Sequence, residues 1–254
     1  MQFVVIIPAR YASTRLPAKP LADIHGKPMV VRVAERAASS AASAIWVAAD
    51  DQRIIDAVTA HGFAAISTSP HHTSGTDRLA EAVLQLGLPD DTIVVNVQGD
   101  EPLIAPALIR AVAAELAAHP ESMMATACHP IHAYPDMVNP HLVKVVMDST
   151  GHALYFSRAP IPYPRDALAS GSTLPADLPV YRHIGLYAYR AGFLRHYTQL
   201  SHSPLERFES LEQLRVLWHG YKISVSISTE PIAPGVDTAE DLAQIRALFL
   251  TGRA

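Results

Sequence analysis

Residues 3–7, Phe-Val-Val-Ile-Ile, are apolar at every position. Successive side chains of a strand point to opposite faces, so a half-buried strand alternates apolar and polar residues. A run with no alternation is covered on both faces, as strands of parallel α/β sheets are. Pro8 ends the run, and Arg10, Arg15 and Lys19 follow, with no carboxylate before Asp23. A buried strand thus leads directly into a cationic loop.

Similar apolar runs occupy 44–48 and 92–97. Between and after them, residues 29–38, 51–61, 76–86 and 106–118 carry apolar side chains at helical spacing, with breakers at Gly62, Gly87 and Pro120. Alternating strands and helices predict a Rossmann-like α/β fold, with a mostly parallel sheet covered by helices on both faces. Ligands of such sheets bind beyond the carboxyl ends of the strands. The pattern changes near residue 120. Residues 142–148 and 180–190 read as longer strands, 159–179 as a loop rich in Pro, Ser and Gly, and 204–218 as one helix. A strand at 222–228 and a closing helix at 238–248, capped by Thr238, complete the chain. The expectation is a single α/β domain over 1–254, with an inserted antiparallel region at roughly 120–200.

The 254 residues suffice for a sizeable core, and 49% apolar against 17% charged residues argues against disorder. A net charge of −4 does not suit a nucleic-acid binder, so the early cations are a local exception. Cys128 is the only cysteine, which rules out a disulfide within the chain and fits a reducing compartment. The first apolar run is too short for a signal peptide, and no stretch approaches the roughly 20 apolar residues of a membrane span. A soluble, cytoplasmic protein without membrane insertion is expected.

Four stretches could carry chemistry. "PARYASTRLPAK" sets cations at the carboxyl end of a strand, where Arg makes forked contacts to phosphate. It lacks the Walker A pattern, and a solvated surface loop is the alternative. "VVNVQGDEPLI" brings Asp100 and Glu101 just past a strand, as magnesium ligands or as acids at a helix start. "GVDTAEDL" offers Asp237 as a second metal carboxylate or as part of a helix cap, and spacing does not say whether the two aspartates meet. "HHTSGTDRL" supplies Ser74, Gly75 and Thr76 either to a base or ribose or to an N-cap. Arg78 in the first turn opposes the helix dipole, a hint of an anionic or polar ligand. Although there are 13 histidines, "CHPIH" lacks structural-zinc spacing, and neither H-E-x-x-H nor G-x-S-x-G occurs.

Together with "VKVVMD", "ALYFSRAPIP", "YRHIGLYAYRAGFL" and "SPLERFESLEQLRVL", these motifs run in order from residue 3 to about 248. In that order they resemble the 3-deoxy-manno-octulosonate (Kdo) cytidylyltransferases. The resemblance implies a nucleotide-diphospho-sugar transferase type of fold and transfer of CMP from CTP to the anomeric 2-hydroxyl of Kdo. Pyrophosphate would be released, Mg2+ would be required, and the product would serve lipopolysaccharide synthesis. By the same resemblance, Arg10, Ser13, Arg15 and Lys19 hold the triphosphate, with Arg15 and Lys19 catalytic. Ser74, Gly75 and Arg78 surround the cytidine, and Gln98 stands between nucleotide and sugar. Asp100 and Asp237 are the catalytic metal ligands. Gln98, Arg158, His183, Tyr187, Glu212 and Gln213 bind the sugar acid, although Arg158 and Glu212 also read as ordinary surface residues. A homodimer through the inserted strands is implied. Ala49 stands where the family pattern has a threonine, so Asp50 is given no role. Another acidic sugar as acceptor, or a non-catalytic CTP-binding module, are the competing readings.

Overall fold

The computed structural model describes residues 1–12, 16–72, 74–166, 173–229 and 234–251. The first apolar run becomes β1 (Phe3–Ala9). Parity divides its side chains: Phe3, Val5 and Ile7 enter one buried cluster, and Val4 and Ile6 enter another. The first cluster includes residues of α1 (Met29–Ala38), α2 (Gln52–Ala60) and α4 (Pro106–Ala118). The second includes residues of α3 (Gly75–Gln85), α6 (Ala191–Tyr197) and α8 (Gln213–Trp218). The unbroken apolar run is thus a strand with a helical layer on each face, as expected.

β1 pairs in parallel with β4 (Ala44–Ala49) on one side and β6 (Ile93–Asn96) on the other, and β4 pairs in parallel with β5 (Ala64–Ser67). β10 (Tyr181–Arg190) joins antiparallel to β6 and to β7 (Ser122–Pro130), and β11 (Lys222–Ile227) closes this edge parallel to β7. β8 (Lys144–Met147) and β9 (Ala153–Ser157) extend from β10 as an antiparallel arm. The result is a nine-stranded mixed sheet in which the late strands join the early ones edge to edge. A small hairpin, β2 (Asp23–Ile24) with β3 (Lys27–Pro28), stands apart from it.

Besides this hairpin, three strands of the main sheet escape the sequence reading. β5 is a short, partly exposed segment, β7 is rich in small residues, and β9 is only five residues long, close behind the turn at Gly151. The single helix expected over 204–218 is two: α7 (Pro204–Glu209), opened by a Ser203–Glu206 capping box, and α8. Ser210 between them takes a left-handed φ of 53°, which a continuing helix cannot hold.

The chain reaches β6 only after laying β4 and β5 on the opposite side of β1, so the sheet reverses its direction of growth between β1 and β6. Loops leave the carboxyl ends of these two strands in opposite directions, opening the crevice where α/β proteins bind ligands. Gly99 makes the approach close, since a Cβ there would lie 2.8 Å from the Pro8 carbonyl oxygen. Among the described residues no helix is long and apolar enough to cross a membrane.

Candidate active site

The crevice holds a cavity of about 350 Å3 lined by Arg10, Lys19, Ser74, Gly75, Arg78, Gln98 and Asp100, among others. Lys19 opens a short 3-10 turn after Ala18, and its Nζ lies 2.6 Å from Asp100 Oδ2 and 3.0 Å from Asp237 Oδ1. Local sequence denies Lys19 a carboxylate, yet the fold supplies two. Asp237 arrives because α9 (Ala239–Leu250) docks its Leu242 and Ile245 against Ile24, Met29 and Val236. The Val236 N–H then donates to the Asp100 carbonyl at 2.9 Å, and Thr238 caps the helix. Asp237 thus stands beside the Thr238 cap and pairs with Lys19 in the same geometry.

Two carboxylates around one ammonium form a hard-oxygen site already shaped for positive charge. Among the described residues no group of three His, Cys, Asp or Glu is arranged to hold a metal. A pair of carboxylates completed by phosphate and water is the usual setting of Mg2+, so the residues present fit that ion. Burial, reinforced by the charge of Asp100, pushes the neighbouring Glu101 carboxyl up to about 7.

Arg78 is buried at 2% exposure despite its place at a helix start. Its guanidinium donates to Asp50 Oδ2 at 3.2 Å, Thr68 Oγ1 at 2.5 Å and the Ser69 carbonyl at 3.3 Å. Asp50 Oδ1 in turn accepts from the Tyr11 N–H at 2.9 Å. The unfavourable dipole position is therefore answered first within the protein. Asp50, left without a role by the sequence, ties the cationic loop to α3. Ser74 caps α3 by accepting from the Asp77 N–H at 3.1 Å, and it also lines the cavity.

A second cavity of about 290 Å3 adjoins the first, and Gly75 and Gln98 line both. Its other walls include Thr76, Asn96, Tyr187, Glu212 and Gln213. Burial raises the Glu212 carboxyl above its usual range, partly offset by the Thr76 hydroxyl, which donates to Oε2 at 3.1 Å. His183 lies behind Tyr187, with ring centroids 5.4 Å apart, and burial pushes its imidazole down to about 3.

A cytidylyltransferase family profile matches residues 4–223. The chain belongs to the cytidylyltransferase family. The solved structure of a CMP:2-keto-3-deoxy-manno-octonic acid synthetase complexed with CTP is 43% identical, with a TM-score of 0.90 over 99% of this chain and 100% of that one. A nucleotidyl transferase from Methanothermobacter thermautotroptrophicus is 14% identical, with a TM-score of 0.60 over 99% of each chain, a likeness of fold alone.

In this cytidylyltransferase Arg10, Lys19, Ser74, Gly75, Arg78, Gln98 and Asp100 meet in one cavity, and Asp237 reaches it through Lys19. Tyr187, Glu212 and Gln213 join Gln98 in the other. Ser13 and Arg15 lie outside the described residues. His183 and Arg158 line neither cavity. Arg158 braces the turn before Ser210, its Nε donating to the Glu209 carbonyl at 2.7 Å and its Nη1 to the Pro140 carbonyl at 3.1 Å. The sequence reading missed Asn96, Tyr189 and Tyr197 of the second cavity. Only Asn96 carried a signal, as a polar residue closing an apolar strand.

Proposed function

We propose that this cytidylyltransferase transfers CMP from CTP to the anomeric 2-hydroxyl of Kdo, giving CMP-Kdo and pyrophosphate for lipopolysaccharide synthesis. The observation that carries this reading is the pair of cavities that meet at Gly75 and Gln98, one cationic and one lined by hydroxyls and amides. The 43% identity to a synthetase of the same sugar nucleotide supports Kdo as the acceptor.

The triphosphate enters the first cavity. Arg10, Ser13, Arg15 and Lys19 hold its oxygens, and the three cations among them make charge-assisted contacts that strengthen as pyrophosphate departs. Ser74, Gly75 and Arg78 surround the cytidine. Asp100 and Asp237 would hold Mg2+, which when bound polarises the α-phosphate and lowers the pKa of a coordinated hydroxyl. Gln98 faces both cavities and so can orient the 2-hydroxyl toward the α-phosphorus. Tyr187, Glu212 and Gln213 hold the sugar, with His183 backing Tyr187 and Arg158 bracing the adjoining turn. The strands and loop at roughly 120–200 contribute sugar contacts and a homodimer interface, and the enzyme works in the cytoplasm.

Pyrophosphate release measured with CTP, Mg2+ and a panel of sugar acids tests the reading. Kdo is expected to be the preferred acceptor. A clear preference for sialic acid or another sugar acid overturns it, as does CTP binding without release.

A further inference from the structure

β6 is apolar until its last residue. Ile93, Val94 and Val95 are buried, and so is Asn96, at 2% exposure. Parity puts the Asn96 side chain on the face of Val94, the side packed by α3, α6 and α8. Leucine at this position would complete the apolar strand, whereas a buried amide without a partner weakens the fold. Asn96 Oδ1 has no hydrogen-bond partner among the described residues, and Asn96 lines the second cavity. Gln213 repeats the pattern from another wall: it is 4% exposed, and its Nε2 is equally without a partner. Buried polar atoms left in this state call for an occupant that satisfies them.

The lining says what that occupant offers. Among the described residues no lysine or arginine lines the second cavity, and its only acid is Glu212. A carboxylate would find no cation there, but hydroxyls, which both donate and accept, match three amides and three tyrosines. In a 2-ulosonic acid the reacting hydroxyl and the carboxylate are carried by neighbouring carbons. The acid end therefore stays with the cations near the α-phosphate, and the hydroxylated tail points inward. We propose that Asn96 is a specificity-determining residue that, together with Gln213, reads hydroxyl groups of the acceptor's tail at the inner wall of the second cavity. This deepens the sugar-acid reading and rests on it.

The test compares wild type with Asn96→Leu, and with Asn96→Ala should the leucine variant fail to fold. The probes are the sugar acid that wild type prefers and its singly deoxygenated analogues. The expected variant unfolds at an equal or higher temperature, binds CTP as wild type does, and loses about tenfold to a hundredfold in kcat/KM for the full acceptor. For one deoxy analogue the loss disappears, because the hydroxyl that Asn96 reads is already missing. An undiminished kcat/KM overturns the proposal, and so does a loss of the same size for the acceptor and every analogue, the mark of a structural role. If wild type prefers an acid other than Kdo, the Kdo reading fails in that first measurement, and Asn96 is judged on the preferred acid.

Discussion

Lys19 holds Asp100 and Asp237 at 2.6 and 3.0 Å, so the three charges set one another's positions. Asp100→Ala is expected to cut CMP transfer by about 10²–10³-fold, the scale of losing one preorganised electrostatic contact at a reacting centre. Circular dichroism should show an intact fold, since Asp100 is partly exposed. Near-normal turnover would remove Asp100 from the chemistry. His183 illustrates the reverse electrostatics. The carbonyls of Ile184 and Leu186 accept the Thr126 hydroxyl proton, so the Thr126 oxygen accepts from His183 Nε2–H at 3.0 Å. The ring is neutral and buried, with its pKa pushed down to about 3 from 6.5. Between these values the unfolded chain binds more protons than the folded one, so stability falls as pH drops from about 6.5 toward 3. Urea midpoints taken from pH 7 to pH 4 should show this slope, and His183→Asn should flatten it. An unchanged slope would assign the effect to other groups. Among single residues, the early cations and Asp100 stand out in the sequence because charge beside an apolar run is conspicuous. Asp50 does not, because its partners Arg78 and Tyr11 are chosen by the fold.

α7 and α8 show how an element can be legible in composition but not in shape. Helical periodicity over 204–218 survives the interruption, and only the left-handed backbone at Ser210 reveals two helices. The break sets Glu212 and Gln213 at the start of α8, against the second cavity. A buried ion pair staples the two helices: Arg215 Nε donates to Glu206 Oε2 at 2.9 Å and Nη2 to Oε1 at 2.5 Å. The Arg215 guanidinium also lies over the Tyr197 ring, 4.6 Å from its centroid. Glu206→Ala would strand that cation and is expected to cost about 3–5 kcal/mol, read from urea unfolding. The sugar-acid KM should rise more than the KM for CTP, because α8 and the turn before it line the second cavity and neither helix lines the first. Equal rises would show that the damage is not local. By contrast, α1 and α4 fall where the periodicity puts them, since an apolar stripe specifies a helix without outside help. β7 does not, because its Ala, Thr and Cys become a strand through pairing with β10 and β11.

Across the whole molecule, alternation of strands and helices made the early parallel half readable. The placement of the antiparallel half was hidden because pairing partners far apart in sequence decide it. The meeting of the two aspartates was hidden for the same reason. It depends on a small apolar cluster separate from the main cores, in which Ile24, Met29, Val236, Leu242 and Ile245 hold α9 to the hairpin. Ile245→Ala is expected to loosen that docking by about 2–5 kcal/mol. Hydrogen exchange should quicken over 239–250 while the central strands stay protected, and turnover should fall. Full turnover with a mobile α9 would separate Asp237 from the reaction. The backbone bond from Val236 to Asp100 has a consequence for how the enzyme is made. A chain made only as far as Ile227 contains every described strand of the sheet but not the second carboxylate, Asp237. Such a chain would keep the Lys19–Asp100 pair and lack the acid that arrives with α9, so the two-carboxylate arrangement around Lys19 forms only once α9 has docked.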